Sequence, residues 1–433
     1  MRIRFFLLLL FAPYPVLADP ASAPEDWALH GQATFVEQYH PAFRSPFRGP
    51  NSLDPGSRGN ETIALTLYGG LRPWANGEVW ADGDMDQGFG LSDTVGVAAF
   101  PNGEGYKVGS ATPYLRLHRL FFRQTFDLGG DDENVAPAVT QLGQSRAHDN
   151  LVVTLGKFSV TDIFDGNDYA HDPSQDFFNW TVIDAGAFDY AADAWGYSYG
   201  ATAEWNEEDW SLRAGLFDLS RVPNGTALTR GFGKYELDAE IERRFELFSQ
   251  DGKVKFLGWM NRAPMGAYKD ALALAGHQAP DIAAVRVPRS RPGGGVNLEQ
   301  GLTSDLGFFL RASLADGSQE AYEFIDMDES LSGGLSWKGE SWGRKDDTIG
   351  LALEEGGISR SARNYLAAGG LGILIGDGRL THYNSEDVLE AFYSAALFSA
   401  GVLTLDYQFI ANPAYDADRG PVSVLGLRLH AQF

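Results

Sequence analysis

The feature that most constrains the fold is an alternation of apolar and polar residues, with a period of two, that reaches the C-terminal residue. In the segment Val422–Phe433, the residues that share a face with the terminal aromatic are apolar, and the residues between them are polar or small. The apolar face comprises Phe433, Ala431, Leu429, Leu427 and Leu425. Successive side chains of a β-strand point to opposite faces, so this period predicts a strand that includes the last residue.

The same period recurs along the chain. Tyr197–Trp205 and Trp210–Phe217 flank a short polar stretch and predict a hairpin with a tryptophan on each side of its turn. Further examples are residues 234–241, 305–314 and 400–409. The 51 glycines fit many short strands joined by turns. The pattern therefore predicts an all-β protein.

Charged residues on the polar faces raise the question of what these faces meet. The polar face of a soluble sandwich meets bulk water, whereas a transmembrane barrel turns its polar face to an aqueous lumen and its apolar face to lipid. The lack of cysteine, an N-terminus typical of exported proteins and the aromatic residues at strand ends favour the barrel. We predict a transmembrane antiparallel β-barrel whose last strand pairs with its first, because a closed barrel has no edge. A secreted β-sandwich, β-propeller or β-helix is the alternative.

One segment, residues 384–398, fits two kinds of structure. It is either a strand with Glu390 and Ser394 facing inward, or a helix with Val388 and Phe392 on one face. We favour the strand, because the other strands need an even number of partners.

The N-terminus predicts export. Two arginines precede an apolar run, Phe5–Leu17, and the residues around Ala18 fit the small-residue cleavage rule. We expect residues 1–18 to be a signal peptide and residues 19–433 to form a single barrel domain with extracellular loops. Removing the two arginines from the 34 basic residues leaves 32, against 58 acidic residues, a net charge near −26. This charge argues against nucleic acid as a partner.

Long blocks of the chain carry a family resemblance. They are residues 88–109, 117–130, 156–180, 184–200, 335–353, 365–380 and 412–433. In these blocks the sequence resembles the carbohydrate-selective porins of the OprB type. The resemblance implies a sixteen-stranded barrel of the bacterial outer membrane, of the porin type, through which sugars diffuse, in contact with membrane lipid and lipopolysaccharide. It also implies that Phe433 belongs to the signal recognised by the barrel-assembly machinery.

The strand predicted at residues 114–126 carries the arginines of greatest functional interest. Arg119 and Arg123 share one face with Phe121 between them, and Arg116 lies one register away. An arginine that faces lipid at mid-membrane costs about 2–4 kcal/mol, so this face is expected to point into the lumen. Two interpretations stay open: ion pairs with lumen carboxylates, or a sugar track in which the guanidinium groups donate to hydroxyls and the Phe121 ring between them stacks on sugar C–H faces.

This face leads to an expectation for mutants. If both arginines face water, Arg119→Ala with Arg123→Ala should leave assembly intact, widen the conductance and weaken block by sugar. Mixed donors and acceptors would replace the hydration of a neutral sugar without trapping it. The other residues expected to line the lumen are Asp82, Asp84, Lys157, Glu204, Arg213, Glu236, Asp238, Arg311, Asp406 and Arg428.

Two other functions stay open from the sequence. The acidic excess fits a channel selective for cations, including divalent metal ions, unless much of that charge lies in outer loops such as residues 129–135. A secreted β-rich carbohydrate-binding or hydrolytic protein would need paired carboxylates in a cleft. The G-x-S-x-G match at residues 196–200 lies inside a strand pattern, and Asp82–Gly88 lacks the glycine and glutamate of a calcium loop. We therefore expect no catalytic residue, cofactor or bound metal.

Overall fold

Sixteen strands follow one another around a closed barrel in the computed structural model, which describes residues 24–105, 107–247, 249–398 and 400–433. The expected signal peptide, residues 1–18, lies outside the described residues. The strands are β1 (Trp27–His40), β2 (Arg58–Trp74), β3 (Gly77–Gly88), β4 (Ser110–Val135), β5 (Gln144–Phe158), β6 (Ser198–Glu207), β7 (Trp210–Asp218), β8 (Tyr235–Leu247), β9 (Gln250–Met265), β10 (Val287–Gly301), β11 (Leu306–Ala315), β12 (Glu329–Gly339), β13 (Arg344–Gly357), β14 (Glu386–Phe398), β15 (Gly401–Ala411) and β16 (Val422–Gln432). Each pairs antiparallel with its neighbours in the chain, so the predicted fold class is confirmed.

The barrel closes between its first and last strands. β1 pairs antiparallel with β16, as predicted from the terminal strand. Phe433 extends this seam, because its N–H donates to the carbonyl of Gly31 at 2.9 Å and its carbonyl accepts from the N–H of Gly31 at 3.1 Å. The ambiguous segment 384–398 contains β14, with Glu390 buried on the inner face, so the preference for a strand is confirmed.

The two faces of the wall differ as the alternation requires. Leucines such as Leu115, Leu314 and Leu353 are exposed on the outer face, whereas the residues between them are mostly buried on the lumen side. An apolar exterior with a polar interior is the arrangement of a barrel that spans a lipid bilayer. None of the helices in the described part of the chain is long and apolar enough to cross a membrane.

The two rims of the barrel differ in the length of the connections that they carry. The chain turns back in a few residues at one rim, which we call the short-turn rim and which also carries the start of β1 and the end of β16. The opposite, long-loop rim carries the described residues of the connections 41–57, 89–109, 159–197, 219–234, 266–286, 316–328, 358–385 and 412–421. The described part of these loops contains three α-helices: α1 (Trp180–Ile183), α2 (Tyr268–Ala275) and α3 (Arg360–Ala367).

The connection between β5 and β6, residues 159–197, folds into the barrel, and we call it the inserted segment. Phe177, Val182 and Phe188 of this segment are fully buried. The ring of Phe177 packs edge-to-face on the ring of Phe392 of β14, with centroids 4.9 Å apart. Much of the lumen is therefore a packed core, and any solute path must run beside the inserted segment.

Candidate functional site

β4 changes register at the place where its arginines lie. Ala81 of β3 pairs with Leu120, but Gly83 pairs with Leu117, so one extra residue of β4 forms a bulge. A bulge re-aims the side chains around it. Leu117 and Leu120 both face outward, and His118 and Arg119 between them both turn to the lumen. The sequence predicted the inward face of Arg119 and Arg123 but not this bulge.

Arg119 links the wall to the inserted segment. Its Nη1 donates to Asp82 of β3 at 2.8 Å, and its Nε and Nη2 donate to the two oxygens of Asp162 at 2.8 and 2.6 Å. Burial alone would raise the pKa of Asp162, but the facing guanidinium of Arg119 holds that pKa below its ordinary value. The ion-pair interpretation therefore describes Arg119 well, because its donors are already engaged.

Arg123 and Phe121 do not form the arrangement that was expected. The Arg123 guanidinium donates to the carbonyl of Thr140 at 2.8 Å and lies 3.4 Å from Glu78. Phe121 is only 4% exposed, with Arg123 above its ring and Phe158 against its edge. The expectation that Phe121 offers a stacking surface is wrong, because neighbouring side chains cover its ring.

The aromatic surface comes instead from the end of the inserted segment. Trp195 and Tyr197 are both partly exposed. The Arg116 guanidinium is centred 4.0 Å from the Trp195 ring, and the Arg119 guanidinium 4.8 Å from the Tyr197 ring. The Trp195 indole donates to the Tyr114 hydroxyl at 2.8 Å, which fixes the orientation of the indole. Sequence reasoning missed these two aromatics as site residues. Trp195 lies in a connection without a strand period, and the period of two assigned Tyr197 to the apolar face of a predicted strand, whereas β6 begins one residue later, at Ser198.

Lys157 and Arg213 continue the row of cations around the wall. Lys157 Nζ lies 2.7 Å from Asp193 of the inserted segment. Glu204 and Arg213 are direct cross-strand partners, and Arg213 also contacts Glu240 and Glu242 of β8 at 2.7 and 2.9 Å. Glu204 and Arg213 lie on the inner face of β6 and β7, and the Lys157 amino group reaches the inserted segment. That these groups line the solute path stays a prediction.

Other predicted lining residues are covered by the inserted segment. Arg311 and Arg428 face inward but are each 1% exposed. Arg311 donates to the carbonyl of Val182 at 2.9 Å, and Arg428 to the carbonyl of Pro173 at 2.7 Å. Both arginines hold the inserted segment in place and do not reach an open passage.

The predicted acidic residues are buried as well. Asp84 lies 3.0 Å from His118, and Asp406 accepts a hydrogen bond from Gln408 at 3.0 Å. The fully or nearly buried carboxylates among the expected lining residues are Asp82, Asp84, Glu236, Asp238 and Asp406. They do not form an open ring of negative charge.

The acidic stretch at residues 129–135 does not lie in an outer loop. It belongs to β4 and pairs with the first residues of β5 at the short-turn rim. The expectation that placed its charge among the outer loops is wrong, because β4 runs on past Gly77, the first residue of β3, before the chain turns.

Comparisons with known proteins agree with this architecture. The sequence profile of the family described as carbohydrate-selective porin, OprB family, matches residues 51–433. The fold is similar to that in the high-pH structure of Pseudomonas putida OprB, with a TM-score of 0.71, 15% identity and 94% of each chain covered. It is also similar to the outer membrane channel DcaP of Acinetobacter baumannii, with a TM-score of 0.50, 12% identity and coverage of 94% of this chain and 97% of that one. No curated protein gives a significant match to the sequence.

Proposed function

Because the chain belongs to the carbohydrate-selective porin family, OprB type, and is a carbohydrate porin, we propose that sugars cross its lumen between the inserted segment and the wall at β4. We call the proposed surface the sugar track, and it consists of Arg116, Arg119, Lys157, Trp195 and Tyr197. Its two aromatic rings belong to the inserted segment, and its three cations belong to β4 and β5.

The observation that carries the proposal is the pair formed by Arg116 and Trp195. Arg116 is exposed, lies against the indole, and has no carboxylate partner among the described residues. Its donors are thus available to sugar hydroxyls, while the ring beside it offers an apolar face to sugar C–H groups. Arg119, whose donors are engaged by Asp82 and Asp162, keeps the track in place.

The same geometry favours neutral solutes over cations. A cation-selective pore needs carboxylates that face the passage without a counter-charge. Asp82 and Asp162, the carboxylates beside the track, share Arg119, and Asp193 faces Lys157. The carboxylates beside the track thus have cationic partners, and this pairing favours a sugar path over a cation filter.

Single-channel recording in planar bilayers tests the track. Arg116→Ala and Trp195→Ala should each weaken the block of current by maltose by about fivefold, which corresponds to the loss of about 1 kcal/mol. Arg243→Ala is a matched control, because Arg243 also lies over a tryptophan, Trp210, at 5.0 Å, but on the exposed end of β8. Unchanged maltose block in both assembled track variants would exclude this path.

We also propose how the protein reaches its membrane. Residues 1–18 would direct export and be cleaved before Asp19, and Phe433 would be read by the assembly machinery that inserts barrels. The outer surface of the barrel would then contact membrane lipid and lipopolysaccharide. N-terminal sequencing of the protein from purified outer membranes tests the cleavage: Asp19 is the expected first residue, and a retained Met1 would contradict it.

A further inference from the structure

One connection at the short-turn rim differs from its neighbours. Residues 136–143, between β4 and β5, turn back into the lumen, and we call them the fold-back segment. Its Leu142 is 0% exposed and belongs to the same core cluster as Trp80 and Phe121, and Val139 packs against that cluster. Residues 75–76 and 208–209 at the same rim simply join adjacent strands.

The fold-back segment is held by backbone contacts at its end. The N–H of Gly143 donates to Glu25 Oε2 at 2.7 Å, and the N–H of Glu25 donates to the carbonyl of Gly143 at 2.9 Å. Arg72 of β2 donates to the same carbonyl at 3.3 Å and to the Gln144 amide oxygen at 2.8 Å. A connection tied in this way is a fixed part of the lumen.

The middle of the fold-back segment reaches the row of arginines. Arg123 donates to the carbonyl of Thr140 at 2.8 Å. Arg123 is four residues from Arg119 in the direction of the short-turn rim, about 14 Å along an extended strand. The inserted segment thus narrows the lumen from the long-loop rim, and the fold-back segment narrows it from the short-turn rim.

The length of this connection is not explained by the need to join two strands. Two residues suffice for a β-hairpin, and the extra backbone here occupies lumen space and takes hydrogen bonds from Arg72 and Arg123. We propose that the fold-back segment is a second constriction, which sets the aperture at the short-turn mouth and the largest sugar that passes. This inference rests on the channel function of the chain and is independent of the pair formed by Arg116 and Trp195.

Cysteine labelling tests the position of the segment directly, because the chain contains no cysteine. Thr140→Cys should react with a cationic methanethiosulfonate reagent, and the current through a single channel should fall in a lasting step. Ser145→Cys, exposed at the start of β5, is the matched control that should be labelled without a change in current. Labelling of Thr140→Cys, verified by mass, with no effect on current would overturn the proposal.

A shortened variant tests the size limit. Replacing residues 137–141 with an Asn-Gly turn keeps Leu142 and Gly143 and should raise both the conductance and the longest maltooligosaccharide that enters liposomes in swelling assays. An assembled variant with unchanged conductance and size limit would overturn the proposal, and if the variant does not assemble, the labelling result decides. Maltose block in the Arg116→Ala variant reports separately on the sugar track.

Discussion

At the scale of single residues, the inner wall uses arginine for two different purposes. Arg311 and Arg428 are buried and donate to carbonyls of the inserted segment. Arg116 is exposed, its guanidinium lies against the rings of Tyr114 and Trp195, and it has no carboxylate partner among the described residues. The partners of each guanidinium, and not its position on an inward face, separate a structural arginine from one available to a solute.

This distinction changes the expectation for Arg119. Removing its side chain leaves Asp82 and Asp162 without their counter-charge in a poorly hydrated place, and breaking a buried pair in this way costs about 3 kcal/mol. Arg119→Ala should therefore lower the denaturant midpoint of the barrel and loosen the inserted segment, whereas the sequence alone predicted intact assembly. Urea titration of the refolded protein in detergent measures this.

A compensated variant provides the control for Arg119. Adding Asp82→Asn and Asp162→Asn to Arg119→Ala removes the unpaired charges and should restore much of the lost stability. If Arg119→Ala alone unfolds like the unchanged protein, the ion pairs with Asp82 and Asp162 contribute little and the arginine is free to act on solutes.

For single residues, the sequence predicted the side of the barrel wall that a side chain faces better than it predicted the residues that the side chain contacts. The period of two and the cost of arginine in lipid were enough to place Arg119, Arg123 and Arg213 on the lumen side. The bulge beside Arg119 was not predictable, because one extra residue in β4 has meaning only against the register of β3. The covered state of Phe121 likewise depends on Phe158 and Arg123, which meet it only in the folded barrel.

At the scale of elements, buried carboxylates serve as acceptors for irregular backbone. A loop that enters the lumen leaves the hydrogen-bonded sheet, so its N–H groups need other acceptors. Wall residues provide them: Glu240 accepts from the N–H of Asp165 at 2.9 Å, and Glu299 accepts from the N–H of Asp168 at 2.9 Å. Part of the acidic excess of the chain thus holds loops inside the barrel.

Glu386 gives the sharpest test of this role. Its carboxylate accepts from the N–H groups of Ala98, Ala99 and Ala414, in two different long loops. Glu386→Gln replaces one acceptor oxygen by a donor, so at least one buried N–H loses its partner at a cost of about 1–3 kcal/mol. We expect faster amide hydrogen exchange in residues 96–100 and 412–416. Asp387→Asn, the adjacent position on β14, is the control, and equal exchange in both variants would contradict the role.

The loop at residues 316–328 should dock in a pH-dependent way. Burial raises the pKa of Asp326 to about 7. The nearby Asp328 adds to this shift, whereas the N–H groups of Leu374 and Ile375 stabilise the charged carboxylate and oppose it. Burial also raises the pKa of Glu323 to about 7, although Lys107 opposes the shift and Asp189 adds to it. A raised carboxyl pKa means that the docked loop holds a proton that the released loop has lost.

The sign of the effect follows from these pKa values. Docking should be tightest at about pH 4, weaken as the pH rises to about 7, and change little above that. Hydrogen exchange of residues 371–378, compared at pH 5 and pH 8 after correction for the intrinsic rate, measures it. Asp326→Asn should flatten the dependence, and a slope that persists in this variant would assign the effect to another group.

At the scale of the whole molecule, the closure of the barrel was predictable from the sequence, but the filling of its lumen by the inserted segment was not. The alternation that ends on Phe433 and the need of a barrel to have no edge were enough to predict that β16 pairs with β1. The number of strands followed from the family resemblance. The inserted segment escaped prediction, because contacts such as that of Arg311 with Val182 join residues far apart in sequence and leave no periodic signal in either segment.

The closing strand leads to a last prediction, which separates its two proposed roles. Phe433→Ala keeps the backbone hydrogen bonds to Gly31 and removes only the ring, whereas deletion of Phe433 removes both. If the ring is the feature read by the assembly machinery, Phe433→Ala should refold in detergent like the unchanged protein but reach the outer membrane of cells in much smaller amounts. The mobility of unheated samples in SDS gels reports the folded barrel in both settings, with Gln432→Ala as the control.

The deletion should lose stability in detergent as well, because the seam loses its last two hydrogen bonds at about 1 kcal/mol each. Normal outer-membrane levels of Phe433→Ala, together with poor refolding of the deletion, would leave Phe433 with the structural role alone.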